Sequence, residues 1–515
     1  MASLMQDLRI HANATPDRIA VVCGDVRLTY GELEAQANRI AHVFQQQGLQ
    51  RGDHIATLIG NRVEILMIVW AAWRSGLYIT PMSTALTCTE LAYLVQDCDA
   101  KWVICDSSLF DQASELAAQL KSKPIKWFSV GGKIDLHEQL DLQMAMASPE
   151  PTAFECPGAL MMYTSGTTGA PKGVIRPLLP SGWKGTPPFA ADLLQLFGIG
   201  GTHVRYLSTQ PLYHAAALRF ALAVTAGGGL VHVMSRFDAE QALQLLETEK
   251  ITHSQWVPAM FQRLLRLPAS RIKNFKATAH HCAIHGAAPC SVQIKQAMIH
   301  WWGPILLEYY SGSEGVGLSL IDSQEAQLHP GSVGRIRKGQ LHVLSEPDSD
   351  TELPTGEIGM LYFSGVTPFS YYKAPDKTDS RTNKHGWQTL GDMGYVDTDG
   401  YLYLTDRMDD MIISGGVNVY PQEIEKTILD VAGVQDCAVV GIEDDAFGER
   451  PVAFIVPESG HSPIALLELI REHCQKHLGR IKQPDRLELI DALPRTGTGK
   501  LLRRHLRDHI RGVSR

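Results

Sequence analysis

The sequence has no long hydrophobic run. Its most apolar stretch, residues 65–73, is bounded by Glu64 and Arg74 and is well short of the roughly 18 apolar residues that a membrane span requires. This stretch predicts a buried helix instead. Near the N-terminus, Asp7 and Arg9 stand where the apolar core of a signal peptide would have to lie. We therefore expect a cytoplasmic protein without a transmembrane segment.

The sequence also lacks an excess of basic residues, and it lacks closely spaced cysteine pairs. The 47 lysines and arginines are outnumbered by 55 aspartates and glutamates, which gives a net charge of −8. This balance argues against a nucleic-acid-binding protein, whose binding face is normally basic. The nine cysteines are scattered without a Cys-x-x-Cys pair, so neither a zinc site nor a disulfide framework is expected. They predict free thiols in a reducing compartment, in agreement with the cytoplasm.

The length and the alternation of elements indicate the fold class. A chain of 515 residues is longer than one ordinary domain, and at roughly 150 residues per domain it predicts about two to four structural units. The early part of the chain alternates helical and strand-like segments, with a helix over residues 29–44 and strands at residues 55–59 and 102–104. This alternation is typical of an α/β domain whose sheets are covered by helices.

The pattern changes near the C-terminus. Residues 436–442 and 451–456 predict two strands of a small sheet, and residues 463–478 carry the apolar face of a helix. We predict a large α/β N-terminal domain at residues 1–408, with sheets covered by helices and a small β subdomain. A smaller, mobile α+β C-terminal domain is expected at residues 409–515.

Residues 163–174 form a short loop that combines glycines, hydroxyl side chains and Lys172. Glycines let backbone N–H groups approach phosphate oxygens closely, and hydroxyl groups add hydrogen-bond donors. The loop is not a Walker A motif, because Pro171 precedes the lysine and Gly173 follows it where that motif has Ser or Thr. A Gly-x-Gly-x-x-Gly segment after a first strand is also missing, so a dinucleotide enzyme is not supported. By itself the loop predicts contact with phosphate and leaves the phosphate chemistry open.

The loop is followed by further motifs in order, at residues 285–289, 309–315, 387–392, 406–421 and 494–500. Taken together, they resemble the adenylate-forming superfamily of acyl-CoA synthetases, adenylation domains of nonribosomal peptide synthetases and beetle luciferases. The resemblance implies two half-reactions. A carboxylate attacks the α-phosphate of Mg·ATP to give an acyl-adenylate and pyrophosphate, and a thiol then displaces AMP. It implies ATP, Mg²⁺ and coenzyme A as cofactors and a small-molecule carboxylic acid as the partner.

The resemblance also assigns roles to individual residues. The loop residues that it places at the β- and γ-phosphates are Thr164, Ser165, Gly166, Thr167, Thr168, Gly169 and Lys172. Glu314, together with Thr168, would bind Mg²⁺, since a hard cation favours oxygen ligands. The nucleotide contacts implied beside Glu314 are Tyr310, Ser311, Gly312 and Ser313. Tyr310 would stack on adenine and Ser313 would face the α-phosphate, although the family usually has threonine there and glycine at Ser311.

Two further motifs complete the implied nucleotide site. The residues implied at the adenine and the acyl carboxylate are Gly286, Ala287 and Ala288. Asp392 would accept hydrogen bonds from the ribose hydroxyls, because its two oxygens suit a vicinal diol. Leu390 stands where the family usually has threonine, so no hydroxyl contact is expected at that position. Arg407 would lie near the ribose and the phosphate.

Lys500 ends a Gly-rich segment. The resemblance implies that this lysine reaches into the site and bridges the substrate carboxylate and the α-phosphate during adenylation. By spacing alone, it could equally be a solvated lysine of the basic tail. Asp409 would be the hinge about which the C-terminal domain rotates after adenylation. A face that includes Gly416 would then line the entry of the pantetheine arm.

His281 and His285 stand four residues apart, a spacing that would suit a metal ion on a helix. No third ligand accompanies them. We therefore interpret both as core or pocket histidines.

The acid itself is less sharply defined. His214 is a candidate catalytic gate to the acyl and pyrophosphate side, with a core histidine as the alternative, and Trp256 and Phe220 would supply apolar walls. Residues 209–214 contain no acidic side chain, whereas amino-acid-activating members of the family keep an aspartate there. This favours an uncharged hydrophobic acid. A fatty acid is favoured, and an aryl or cyclic acid is the alternative.

Several functions remain open at this point. We predict an ATP-dependent, AMP-forming carboxylic acid:CoA ligase, because no carrier domain is fused to the chain. The alternative is an enzyme that passes the acyl-adenylate to a carrier protein or an amine. A luciferase-like oxygenase would need further substrate chemistry, and a non-enzymatic binding protein would be expected to lack Lys500 or Glu314. The oligomeric state is open, with a homodimer as one option.

Overall fold

The computed structural model describes residues 8–164, 171–183, 187–415, 417–444, 446–458, 463–495 and 501–510. The strands in these residues are β1 (Ile19–Cys23), β2 (Val26–Thr29), β3 (His54–Leu58), β4 (Tyr78–Pro81), β5 (Ala100–Asp106), β6 (Lys126–Val130), β7 (Glu138–Gln139), β8 (Ala159–Leu160), β9 (Met162–Tyr163), β10 (Gly173–Ile175), β11 (Arg205–Ser208), β12 (Leu230–Val233), β13 (His253–Trp256), β14 (Cys282–His285), β15 (Leu306–Tyr310), β16 (Leu318–Asp322), β17 (Arg335–Lys338), β18 (Gln340–Leu344), β19 (Gly359–Ser364), β20 (Ser370–Tyr371), β21 (Gln388–Val396), β22 (Leu402–Arg407), β23 (Ile412–Ser414), β24 (Val417–Val419), β25 (Val434–Asp444), β26 (Gly448–Pro457) and β27 (Arg486–Leu489).

The α-helices in the same residues are α1 (Leu8–Ala14), α2 (Tyr30–Gln46), α3 (Val63–Arg74), α4 (Cys88–Asp97), α5 (Phe110–Gln119), α6 (Leu140–Met146), α7 (Pro188–Phe197), α8 (Ala215–Ala226), α9 (Ala239–Thr248), α10 (Pro258–Leu265), α11 (Ala269–Asn274), α12 (Val292–Trp302), α13 (Ser323–Leu328), α14 (Pro375–Asp379), α15 (Pro421–Leu429), α16 (Pro463–His477) and α17 (Arg503–Ile510). Short 3₁₀ helices occupy Ser107–Leu109, Met408–Asp410 and Arg480–Lys482. None of the described helices combines the length and the hydropathy needed to cross a bilayer.

Local sequence signals explain where the first long helices begin. The hydroxyl of Thr29 accepts a hydrogen bond from the backbone N–H of Glu32 (3.1 Å), and the Glu32 carboxylate accepts one from the N–H of Thr29 (2.8 Å). This reciprocal cap satisfies two N–H groups that a helix start leaves unpaired, so α2 begins at Tyr30. Helix α3 is apolar on all sides and is buried, as the sequence predicted.

Two large sheets share one hydrophobic core. The six-stranded sheet has the order β7-β6-β5-β3-β4-β8, and its pairs are parallel. The nine-stranded sheet has the order β17-β16-β15-β14-β13-β11-β12-β1-β2. Side chains of both sheets meet α2, α3 and α8 in a single apolar cluster. This arrangement confirms the predicted α/β domain with sheets covered by helices.

The nine-stranded sheet determines where the functional segments lie. Strands β11, β13, β14 and β15 are neighbours and run parallel to one another. The chain leaves all four strands at the same edge of the sheet, which is where ligands bind in open α/β folds. The segments that follow these strands are residues 209–214, 257–258, 286–289 and 311–315.

Two smaller sheets lie beside this edge. Strands β9, β10 and β20 form an antiparallel sheet that carries the two ends of the Gly/Thr-rich loop. Strands β18, β19, β21 and β22 form an antiparallel meander with its own apolar cluster, which is the predicted small β subdomain.

The C-terminal part has a separate sheet and core. Strands β25 and β26 are the predicted strands, and together with β23, β24 and β27 they form a five-stranded sheet. An apolar cluster joins this sheet to α15 and to the predicted helix α16. Because β22 ends at Arg407 and β23 begins at Ile412, we retain residues 1–408 and 409–515 as the proposed domain division.

Candidate active site

A cleft of about 2410 Å³ opens at the edge of the nine-stranded sheet, and both parts of the chain line it. The lining residues from the strand-end segments are Gln210, Tyr213, His214, Pro258, Ala287, Ala288, Pro289 and residues 311–315. Thr164, Lys172, Tyr310, Asp392 and Arg407 also line it. Residues from distant motifs of the sequence therefore face one space.

Tyr310, Asp392 and Arg407 are in direct contact. Asp392 and Arg407 are cross-strand partners on β21 and β22, and Arg407 Nε lies 3.3 Å from Asp392 Oδ1. The hydroxyl of Tyr310 donates a hydrogen bond to Asp392 Oδ2 at 2.6 Å. Burial raises the pKa of this tyrosine well above its usual value, so it remains a donor throughout the physiological range. The arrangement fixes a carboxylate and a cation beside an aromatic ring.

A second cluster surrounds Glu314. The hydroxyl of Tyr371 donates to Glu314 Oε1 at 2.9 Å, and Lys172 Nζ lies 5.0 Å from the centre of the Tyr371 ring. Tyr371 belongs to β20, which pairs with β10, so the small three-stranded sheet brings Lys172 and Glu314 together. The N–H of Thr164 donates to the carbonyl of Lys172 at 2.9 Å and closes the base of the loop.

The Glu314 side chain has the chemistry of a magnesium ligand. Its carboxylate faces the cleft and forms no ion pair with any described residue. Mg²⁺ is held by one or two carboxylates together with water and substrate phosphates, rather than by a complete protein cage. Glu314 at a roomy cleft beside Lys172 therefore fits a magnesium–nucleotide complex.

The segment after β14 passes close to β15. A Cβ atom at Gly286 would lie 2.6 Å from the carbonyl oxygen of Tyr309, so only glycine fits there. The next residue, Ala287, has a φ of 68°, in the region that non-glycine residues rarely adopt. This tight path brings Ala287 and Ala288 to the surface of the cleft.

His214 lies at the N-terminus of α8 on the cleft wall. Burial lowers its pKa to about 4, and its Nε2 has no hydrogen-bond partner among the described residues. The ring is therefore neutral near pH 7, and its Nε2 is available for a hydrogen bond to a ligand. His285 is the last residue of β14 and is fully buried, whereas His281 precedes that strand and is exposed. The two do not share a helix.

Some of the predicted residues lie outside the described part of the chain. They are Ser165, Gly166, Thr167, Thr168, Gly169, Gly416 and Lys500. Asp409 falls in the Met408–Asp410 3₁₀ helix, and its side chain is likewise outside the description. The residues that bracket the Lys500 segment are described. Arg495 pairs with Leu501 in a β-bridge, and the N–H of Leu502 donates to the carbonyl of Pro494 at 2.9 Å.

Three further residues at the site were not predicted from the sequence. Tyr371 binds the Glu314 carboxylate, and Arg176 and Arg219 donate to the backbone carbonyls of Glu314 and Ser313. No local signal identified them, because each contact joins segments that are far apart in the chain.

Comparisons with known proteins show the family to which the chain belongs. The family model described as AMP-binding enzyme matches residues 8–373, and the model of the AMP-binding enzyme C-terminal domain matches residues 423–500. The chain therefore belongs to the AMP-binding enzyme family, in the acyl-CoA synthetase branch of the adenylate-forming superfamily. This confirms the resemblance inferred from the motifs.

The chain is similar to curated relatives over almost its full length. It is 31% identical over 520 residues to the long-chain-fatty-acid–CoA ligase FadD13 of Mycobacterium tuberculosis, with 97% of each chain covered. It is 30% identical over 511 residues to a 2-succinylbenzoate–CoA ligase of Bacillus licheniformis, covering 97% of this chain and 98% of the relative. The solved structure of ATP-bound MatB from Rhodopseudomonas palustris matches with a TM-score of 0.84 at 28% identity, covering 99% of this chain and 100% of that chain.

The buried histidines predict how stability depends on pH. Burial lowers the pKa of His285 from 6.5 to about 3, so the unfolded chain binds a proton at a pH where the folded protein does not. The contribution of His285 to the free energy of unfolding is therefore fully present above pH 6.5 and is lost as the pH falls towards 3. We expect His285→Met to remove this dependence, which amounts to at most about 1.4 kcal/mol per pH unit.

Melting temperatures measured between pH 7 and pH 5 test this expectation. The Tm difference between wild type and His285→Met should shift in favour of the variant as the pH falls. The exposed His281→Met serves as the matched control. A constant difference for His285→Met across this range would show that His285 is not held neutral by burial.

Proposed function

We propose that the protein is an ATP-dependent carboxylic acid:CoA ligase, which forms an acyl-adenylate and pyrophosphate and then acyl-CoA and AMP. The observation that carries the proposal is the meeting of the Lys172–Tyr371–Glu314 cluster and the Tyr310–Asp392–Arg407 cluster on one cleft. The first cluster offers a cation and a carboxylate for a magnesium-bound polyphosphate. The second offers an aromatic ring and a carboxylate for a nucleoside. ATP combines these two chemical parts.

The chain's own residues position the reactants in the first half-reaction. Lys172 faces the β- and γ-phosphates, and Asp392 accepts hydrogen bonds from the ribose. Lys500 supplies the charge at the reacting carboxylate. Glu314 would hold a magnesium ion, whose positive charge would stabilise the phosphate oxygens during the reaction. Because no strong base is required, fixed cations and oriented donors account for most of the expected rate enhancement.

The cleft walls support a hydrophobic acid. The residues with apolar or aromatic side chains that line the cleft include Leu160, Leu193, Phe220, Tyr309 and Leu318. The segment at residues 209–214 contains no acidic residue that could bind a substrate amine. The relatives named above act on a long-chain fatty acid and on an aryl acid. We favour a fatty acid and keep an aryl or cyclic acid as the second candidate.

Coenzyme A is the proposed acceptor of the acyl group. After adenylation, rotation of the C-terminal domain about Asp409 would bring the face with Gly416 to the cleft and admit the pantetheine thiol. We also propose the cytoplasm as the location. All nine cysteines are free thiols, as the sequence predicted, and free thiols persist in a reducing compartment.

An acid screen tests the proposed function. Purified protein is incubated with Mg·ATP and a panel of fatty, aryl and cyclic acids, and pyrophosphate release is measured with and without coenzyme A. We expect release with at least one hydrophobic acid and acyl-CoA formation when coenzyme A is present. Acyl-adenylate that is not converted to a thioester, but reacts with an added amine or carrier protein, would favour the alternative acceptor. No release with any acid would contradict the proposal.

A further inference from the structure

Two arginines lie beneath the turn that carries Glu314. Arg219, on α8, donates from Nη2 to the carbonyl oxygen of Ser313 at 3.0 Å. Arg176 follows β10 and donates from Nη2 to the carbonyl oxygen of Glu314. Both side chains line the cleft. Neither belongs to a motif that the sequence analysis identified.

The surroundings of this pair leave its positive charge poorly compensated. Neither guanidinium forms an ion pair with any described residue, and each has only one hydrogen bond to the described part of the chain. The two arginines repel each other, and Glu314 is the acidic residue that acts on both. Burial lowers the pKa of Arg219 to about 10, which reflects the cost of holding its charge inside the protein.

A partly buried cation that has no ion-pair partner is costly and is normally paired or neutralised. A guanidinium group has five N–H donors in a fixed planar arrangement, so one carbonyl leaves most of them unused. Both arginines are partly exposed and line the cleft, where a ligand would lie. The missing negative charge would therefore come from the ligand.

We propose that Arg176 and Arg219 form an anion-binding site in the cleft, which takes the oxygens of a phosphate or a carboxylate group. A planar guanidinium binds both groups well, because two parallel N–H donors match two oxygens. The proposal deepens the proposed function, since it assigns a ligand contact within the same cleft.

Two sources can supply this chemistry. One is the nucleotide, since Ser313, which Arg219 supports, is the residue proposed to face the α-phosphate. The other is a second carboxylate on the acid, which would change the substrate class from an uncharged hydrophobic acid to a dicarboxylic acid. The same variants separate the two sources.

The test uses Arg176→Met and Arg219→Met, which keep the length of the side chain and remove the charge. Arg263→Met is the matched control, because Arg263 is exposed and packs on Phe237 rather than on the cleft. Binding of Mg·ATP is measured by calorimetry on the full-length protein. KM is then measured for a monocarboxylic acid and for the dicarboxylic acid of the same chain length. Because nucleotide binding needs no turnover, this arm remains informative even if the acid screen fails.

A nucleotide source predicts weaker Mg·ATP binding for both cleft variants, on the order of tenfold or more for the loss of a charged hydrogen bond. An acid source predicts unchanged nucleotide binding and a similar rise in KM for the dicarboxylic acid alone. Arg176→Lys and Arg219→Lys should recover part of the loss, since they keep the charge without the planar fork. If a methionine variant does not fold, the lysine variant supplies the comparison. The proposal would be overturned if the Mg·ATP affinity and the KM values of both cleft variants changed no more than those of Arg263→Met.

Discussion

Lys500→Ala is expected to lose acyl-adenylate formation while still forming thioester from supplied acyl-adenylate. The lysine is proposed to act only in the first half-reaction, where a cation stabilises the charge passing between the carboxylate and the α-phosphate. Removing one such interaction commonly slows a reaction by about 10²–10³-fold. The second half-reaction starts from an intermediate that already carries the activated carbonyl, so the same cation is no longer needed there.

Separate assays of the half-reactions check this result. Pyrophosphate release reports the first step, and conversion of synthetic acyl-adenylate with coenzyme A reports the second. Lys476→Ala is a suitable control, because Lys476 is an exposed lysine on α16 of the same proposed domain. Equal losses in both half-reactions would contradict the role given to Lys500, and so would no loss in either.

Glu314→Gln is expected to cause the second large loss. Glutamine keeps the shape of the side chain and can still accept the hydrogen bond from Tyr371, but it removes the charge that a magnesium ion needs. A metal at a transferring phosphoryl group contributes several kcal/mol to transition-state stabilisation, which corresponds to roughly a hundredfold or more in rate. We expect a fall of this order in the rate of pyrophosphate release and a higher requirement for Mg²⁺.

A titration with Mg²⁺ distinguishes this role from a structural one. If Glu314 binds the ion, raising the Mg²⁺ concentration should restore part of the activity of the glutamine variant. Glu357→Gln, at an exposed position that does not line the cleft, should show the wild-type dependence. A variant with reduced activity and an unchanged Mg²⁺ requirement would contradict the role of Glu314 as a magnesium ligand.

Local periodicity was sufficient for much of the fold. The apolar run that ends at Arg74 became the buried helix α3, and the capping pair of Thr29 and Glu32 set the start of α2. The predicted C-terminal strands are parts of β25 and β26. These features depend on residues that are close in sequence, so a single segment contains the whole signal. The order of the strands in the nine-stranded sheet depends on long-range pairing, which no segment reveals by itself.

The candidate site likewise combines residues that local motifs predict with contacts that depend on long-range pairing. Ordered motifs identified Tyr310, Glu314, Asp392 and Arg407, and the fold brings them to one cleft. Contacts such as the one between Tyr371 and Glu314 depend on the pairing of β20 with β10. Arg176 and Arg219 were missed for a related reason, since an arginine in an apolar stretch is read as ordinary surface charge until its neighbours in space are known.

The attachment of α17 bears on how movement would reach Lys500. Helix α17 begins at Arg503, and two of its arginines bind Asp410. Arg507 Nη2 lies 3.2 Å from Asp410 Oδ1, and Arg503 Nε lies 3.6 Å from Asp410 Oδ2. Asp410 immediately follows the proposed hinge at Asp409. The helix that follows Lys500 is thus held by ion pairs to the residue directly after the proposed hinge. A rotation at Asp409 would therefore move α17 and, with it, the base of the Lys500 segment.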